Sequence, residues 1–285
     1  MIKRVLALAS TYSDPRHWID NVRWRFPKTV SDLQCVFVVG SPRSGTTLLQ
    51  RILSVHSKLF SVESETGMFS YQNLFAPNRR HFGLPKDTLA ELYRECVDVV
   101  DFFEKATDRL MQENEGKRFV EKTPQHILHL PFILKHFPNA SIVHIVRDGR
   151  DCFCSSKSHP DIPQNKSVKL FATYWRDCIN ACEQADASGR LHTVRYESMC
   201  ASPDQEIDGM MRSLGLEAES CQMDTTAVGN DPRAGLPEFQ RLSKRVDESS
   251  VGRWREELSE ADIECFERLA GDQLSLHGYE RTTSF

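Results

Sequence analysis

Apolar positions along the chain change period several times, and each change marks an element. Cys35 to Val39 (CVFVV) is an unbroken apolar run, partly β-branched, that stops at Gly40. A strand covered on both faces reads this way. From Thr46 to His56 the spacing widens. Leu48, Leu49, Ile52, Leu53 and His56 fall on one helical face. The same period runs from Asp87 to Asn114 through Leu89, Leu92, Tyr93, Cys96, Val99, Val100, Phe103 and Leu110, which predicts one long helical region. Short strands are predicted over Arg118 to Glu121, Ser141 to Val146 and Leu191 to Val194. Thr123-Pro124 reads as an N-cap with proline at the first helical position, opening a helix that ends near Phe137-Pro138-Asn139. Arg147 to Ser158 begins as a turn and continues as a helix. Ser167 to Ala187 carries Phe171, Trp175, Cys178, Ile179 and Cys182 on its apolar side, and Gly189 stops it. Ser202-Pro203-Asp204-Gln205 reads as a capping box whose helix runs to Leu214-Gly215, and Ser259 to Asp262 caps a final helix. The stretches before Leu33 and from Glu219 to Ser250 show little periodicity and read as irregular.

Strands alternate with helices, so the expected fold class is α/β: a three-layer sandwich with a central parallel sheet flanked by helices. Ligands in such folds sit beyond the carboxyl ends of the strands. At 285 residues the chain is within reach of one domain, with residues 1–34 as an extension of unassigned structure. A net charge of −4 gives no global field toward nucleic acid or a membrane surface, so any anion must be held by a local site. The nine cysteines include Cys152/Cys154 and Cys178/Cys182, and neither pair has zinc-ligand spacing. They read as buried thiols of a reducing compartment. The apolar stretch Val5 to Ala9 is too short for a signal or a membrane span, which predicts a cytoplasmic protein if the chain is complete.

The most informative stretch follows the first strand. Gly40-Ser41-Pro42-Arg43-Ser44-Gly45-Thr46-Thr47 leads directly into a helix, in nearly the GxxxxGK[ST] arrangement whose backbone amides cradle phosphate. The lysine position is Thr46, however, and the positive charge sits at Arg43. That weakens a Mg-ATP reading and favours a monophosphate ester. A second anion site is suggested by Arg147 at a strand end and Ser155 eight residues on (155 − 147), which two helical turns can bring to one phosphate. Asp148, Arg150 and Asp151, between them, read as a solvated charge cluster at a helix start.

The run PRSGTTLL resembles the 5′-phosphosulfate loop of the PAPS-dependent sulfotransferase superfamily, in its tyrosylprotein and bacterial branch, where PAPS is 3′-phosphoadenosine-5′-phosphosulfate. The segment IVRDGRDCFCSS resembles the 3′-phosphate motif of that family, EKTP at Glu121 to Pro124 one of its turns, and Tyr196-Glu197 its "YE" turn. The resemblance runs in patches from Cys35 to about Ser259. It implies that Arg43, Ser44, Gly45, Thr46 and Thr47 bind the 5′ end of PAPS, and that Arg147 and Ser155 bind the 3′-phosphate. Tyr196 would pack near the adenine. Lys122, with Arg43, would stabilise the departing phosphate. Glu65, followed by Thr66, would be the base. Glu63, His126 and His129 stay open as rivals for that role, and a packed helix histidine is the ordinary alternative for the last two. Ser243 and Arg245 would touch PAPS, or else belong to a solvated loop; the RKG triplet of some branches is missing.

The expected reaction is transfer of a sulfuryl group to a hydroxyl-bearing acceptor, which the sequence leaves open among glycan, small metabolite, lipid and protein tyrosine. A magnesium- and ATP-dependent P-loop kinase and a non-catalytic nucleotide-binding protein are the competing readings.

Overall fold

A computed structural model describes residues 26–70, 82–159, 162–223 and 248–282. Its frame is a five-stranded, all-parallel sheet in the order β2-β3-β1-β4-β5. The strands are β1 (Val36–Gly40), β2 (Leu59–Ser61), β3 (Arg118–Lys122), β4 (Ser141–Val146) and β5 (Leu191–Arg195). The helices, in chain order, are α1 (Thr46–Ser54), α2 (Lys86–Glu95), α3 (Val99–Glu113), α4 (Leu130–His136), α5 (Gly149–Ser156), α6 (Val168–Asp186), α7 (Tyr196–Ala201), α8 (Pro203–Ser213), α9 (Ser220–Met223), α10 (Trp254–Glu257) and α11 (Glu260–Leu276). The expected three-layer α/β sandwich is thus present.

The apolar run of β1 is continuous because both faces are covered. Phe37 packs with Phe103, Phe119, Phe137 and Cys178 from α3, β3, the end of α4, and α6. Val36 and Val38 point to the opposite layer of Leu49, Ile52, Met210 and Met211 from α1 and α8. A third cluster joins Phe153, Phe171, Trp175, Trp254 and Phe266, fixing the C-terminal helices to α5 and α6. The chain leaves β1 toward β2 on one side, and leaves β4 toward β5 on the other. The crevice beyond β1 and β4 is therefore a topological switch point.

Several local expectations need correction. The helical region predicted over 87–114 is two helices, α2 and α3, because Cys96 and Asp98 are extended. Asp98 caps α3 by accepting from the Val100 and Asp101 amides, and its other oxygen accepts from the Lys28 and Thr29 amides and the Thr29 hydroxyl. The helix after Thr123 begins as a 3-10 turn over Pro124–His129, and neither Thr123 nor Ser202 makes a capping side-chain bond. Ser202 thus starts α8 without the capping box. Ser259 does cap α11. β2 was not foreseen, since three residues are too few to show a period. The stretch expected as irregular from Glu219 contains α9, whose Gln222 is buried and donates to the Ile52 carbonyl. All nine cysteines are free thiols and seven are buried. No helix among the described residues is long and apolar enough to cross a membrane.

Candidate active site

The loop after β1 is shaped by two glycines. A Cβ on Gly40 would lie 2.5 Å from Ser44 Oγ and 2.7 Å from the Ile145 carbonyl oxygen. Gly45 has φ 112°, and a Cβ there would lie 2.8 Å from Tyr196. Between them Arg43 is held at φ 70°, a left-handed conformation that costs a non-glycine residue about 1 kcal/mol or more. Ser44 is turned inward: its hydroxyl and amide both donate to the Ser41 carbonyl, at 2.8 and 3.2 Å. Its side chain and its amide both serve to close the loop. Thr46 is buried, and Thr47 is half-buried. Gly45 starts α1 with no side-chain cap, and the first turn carries no acid. The helix N-terminus therefore keeps its favourable potential for an anion.

The end of β4 closes on this loop. Arg147, 5% exposed, donates to the Arg43 carbonyl at 3.1 Å and to the Ser250 carbonyl at 2.6 Å. Its guanidinium stacks 4.3 Å from the Tyr196 ring centre. Arg43 Nε donates to Ser155 Oγ at 3.1 Å. Arg43, Ser155, Arg147 and Tyr196 are thus gathered at one place, although they come from four segments. Burial pushes the Tyr196 hydroxyl pKa above its usual value, so it stays protonated at neutral pH.

The acids and arginine after Arg147 are not the solvated cluster the sequence suggested. Arg150 is 1% exposed and bonds Asp148, Glu267 and the Glu280 carbonyl. It also lies 3.6 Å above the Trp254 ring. Asp151 is equally buried and accepts from the Gly252 and Trp254 amides at 2.7 and 3.0 Å. Through those amides it fixes the segment whose Ser250 carbonyl holds Arg147. Glu197 accepts from the Asp148 amide and the Tyr279 hydroxyl. The C-terminal residues, more than 100 positions away, make these groups dry. That contact left no mark in local spacing.

At the neighbouring end of β3, Val38 of β1 is in register with Lys122. Lys122 is buried, and its Nζ donates to Glu65 Oε1 at 2.8 Å; Glu65 is 35% exposed. The base and the cation expected from the sequence are therefore an ion pair. Glu63 is exposed. His126 is fully buried: its Nε2 accepts from the Phe69 amide at 3.1 Å, which leaves the proton on Nδ1, facing Glu121 Oε2 at 2.9 Å. It is a packed histidine and not a base open to substrate. His129 is half-buried, and burial lowers its pKa. Glu121 itself was overlooked. Burial alone would raise its pKa, but His126 and the Thr123 and Thr66 hydroxyls reverse the shift and hold it low. Ser243 and Arg245 lie outside the described residues.

The sulfotransferase family model matches residues 35–220 of the chain. The nodulation protein NoeE of Sinorhizobium fredii is 26% identical over 289 residues, covering 90% of this chain and 68% of that protein. The protein-tyrosine sulfotransferase 2 of Gallus gallus is 23% identical over 254 residues, covering 82% and 66%. Among solved structures, the sulfotransferase domain from the Synechococcus PCC 7002 olefin synthase superposes with a TM-score of 0.67 at 18% identity, over 87% of this chain and 98% of that domain. Mouse sulfotransferase SULT7A1 complexed with PAP gives 0.57 at 16% identity, over 87% and 86%. The family match spans every strand and both clusters of site residues up to Tyr196, and on that ground this chain belongs to the sulfotransferase family.

Proposed function

We propose that the chain is a single-domain enzyme that transfers a sulfuryl group from PAPS to an acceptor hydroxyl. The observation that carries this reading is the joint geometry of two loops. Arg43 of the first bonds Ser155, and Arg147 bonds the Arg43 carbonyl while stacking on Tyr196. This arrangement suits one ligand with an anionic group at each end, one for the loop and one for the arginine–serine pair. Arg147 Nε is buried and has no hydrogen-bond partner among the described residues, which leaves one cationic donor unused beside the loop. The relative solved with PAP supports the choice of nucleotide.

In this assignment the backbone of residues 43–47 and the α1 N-terminus hold the 5′ end. Arg147 and Ser155 hold the 3′-phosphate, and Tyr196 packs against the base. PAPS, when bound, supplies an activated sulfur, whose bond to the phosphate oxygen breaks as a bond to the acceptor oxygen forms. Glu65 receives the acceptor's hydroxyl proton on a carboxylate oxygen. Lys122 has three N–H donors. One faces Glu65, and the others remain to stabilise negative charge on the departing oxygen. Arg43, which bonds Ser155, adds a second positive charge from the loop after β1. With these cations built into the chain, the field at the leaving oxygen needs no further source.

The acceptor class is a hydroxyl compound, in keeping with relatives named for protein tyrosine and for an omega-hydroxy menaquinone derivative. The test combines binding and turnover. Thermal shift with PAP and with Mg-ATP comes first: PAP should raise the melting temperature and Mg-ATP should not. Labelled PAPS is then offered with phenol, sugar and fatty-alcohol acceptors, and label should move to at least one. Stabilisation by Mg-ATP alone would establish the kinase reading. Binding of PAP without any transfer would establish a non-catalytic protein.

A further inference from the structure

Glu65 and Lys122 come from segments 57 positions apart, yet sulfuryl transfer needs their relative placement fixed to a fraction of an ångström. Their own ion pair is a poor way to fix it. Glu65 is about one third exposed, and an ion pair that water reaches is weak and mobile. What stands immediately behind the pair is much stiffer. Thr66 follows Glu65 and Glu121 precedes Lys122, and both are buried. The Thr66 hydroxyl donates to Glu121 Oε1 at 2.7 Å. The Thr123 hydroxyl donates to the same oxygen at 2.6 Å and accepts from the Gly67 amide at 3.0 Å. On the other oxygen, His126 Nδ1 donates at 2.9 Å, while its Nε2 accepts from the Phe69 amide at 3.1 Å.

Three bonds therefore cross between residues 66–69 and 121–126, and all of them converge on one carboxylate directly or through one side chain. Every donor aimed at Glu121 is an O–H or an N–H, so only an acceptor with no proton of its own satisfies the set. Glu121 is fully buried, and its carboxylate oxygens accept from Thr66, Thr123 and His126. Its influence passes along the backbone, one residue to each.

We propose that Glu121 is a positioning residue for the transfer step: its carboxylate, through Thr66, Thr123 and His126, sets the register of Glu65 against Lys122. This rests on the catalytic assignment of that pair. The nucleotide-binding residues lie in the loop after β1 and the start of α1, just beyond β4, on α5 and on α7, and none of the Glu121 bonds named above reaches them. Loss of the network should therefore slow turnover and leave nucleotide affinity alone.

The test uses Thr66→Val, Thr66→Ser and Glu121→Gln in the full chain. Each is measured for turnover of labelled PAPS with the acceptor panel, and for PAP binding by calorimetry. Thr66→Val removes the hydroxyl at nearly constant shape, and should lower kcat by about ten- to a hundredfold with the PAP Kd within about twofold of the parent. Thr66→Ser restores the hydroxyl and should return kcat to within about threefold. Glu121→Gln places an NH2 group against donors and should be at least as damaging to kcat as Thr66→Val. Should Glu121→Gln fail to fold, the Thr66 pair still decides. A Thr66→Val enzyme with parental kcat overturns the proposal, and so does a parallel loss of kcat and PAP affinity, or failure of Thr66→Ser to rescue. Absence of transfer by the unmodified protein overturns the catalytic assignment beneath it, and is told apart from these outcomes because it needs no variant.

Discussion

The ends of β3 and β4 face the same crevice but are built in opposite ways. At β4, Asp148, Arg150 and Glu267 are dry, mutually bonded charges, and Asp151 is buried against the Gly252 and Trp254 amides. They are sealed by residues from the far end of the chain. At β3, the one charge pair that chemistry would use is partly wet, and rigidity comes from a buried histidine, two hydroxyls and a single buried carboxylate brought together from residues 66–69 and 121–126. The contrast separates two tasks. Gripping a polyanion calls for fixed positive charge that does not relax, and counter-charges that hold it there. Moving a proton calls for a carboxylate that can exchange partners with a substrate, and so for support placed behind it.

If this division is right, damage at the two ends should differ in kind. The largest effect is expected from Arg150→Met. It leaves Asp148 and Glu267 buried without their cation, at a cost of about 3–5 kcal/mol, and should lower the melting temperature by roughly 10 °C or more, or prevent folding. Lys122→Ala is next: kcat should fall by about 10²–10³, with PAP affinity within about threefold. An equal fall in both would erase the distinction between gripping and transfer. Asp151→Asn puts an NH2 group near the Gly252 or Trp254 amide. It should weaken PAP binding by about tenfold with little change in kcat at saturation. Asp98→Ala, far from both ends, should cost about 1–2 kcal/mol of stability and leave nucleotide affinity unchanged.

The smallest effect sharpens the β3 end alone. Glu121 has its folded-state pKa held below the usual glutamate range, so it contributes stability that is present above about pH 4.5 and lost as pH falls through the folded value. The gap in melting temperature between the parent and Glu121→Gln should therefore narrow on acidification below about pH 4.5. A gap constant down to pH 3 would mean that the carboxylate is not ionised in the folded protein.

Much of this architecture was legible in the residues. The run CVFVV, the glycines of the loop and the strand SIVHIV have local causes, namely full burial, tight backbone approach and β-branching, and local causes leave local patterns. Arg43, Lys122 and Arg147 could be picked out because each stands at a strand end or one loop beyond it, and Ser155 because it lies on the helix that follows β4, two turns after Arg147. What escaped notice depends on contacts distant in sequence. Asp151 looks like a first-turn helix acid until Gly252 and Trp254 arrive to bury it. Glu121 looks like an ordinary strand residue until Thr66 and His126 converge on it. The break between α2 and α3 did have a signal. Asp98 followed by Asp101 marks a new helix start, but the apolar period ran through it unbroken and concealed the cap.

The account stands on one nucleotide spanning the loop after β1 and the strand end of β4. Calorimetry of PAP against 5′-AMP, which lacks the 3′-phosphate, reads that span directly, in the parent and in Arg147→Ala. The parent should bind PAP at least about 100-fold more tightly than AMP, and the variant should bring the two affinities within about threefold of each other. Equal affinity for PAP and AMP in the parent, or an undiminished preference in Arg147→Ala, would contradict it.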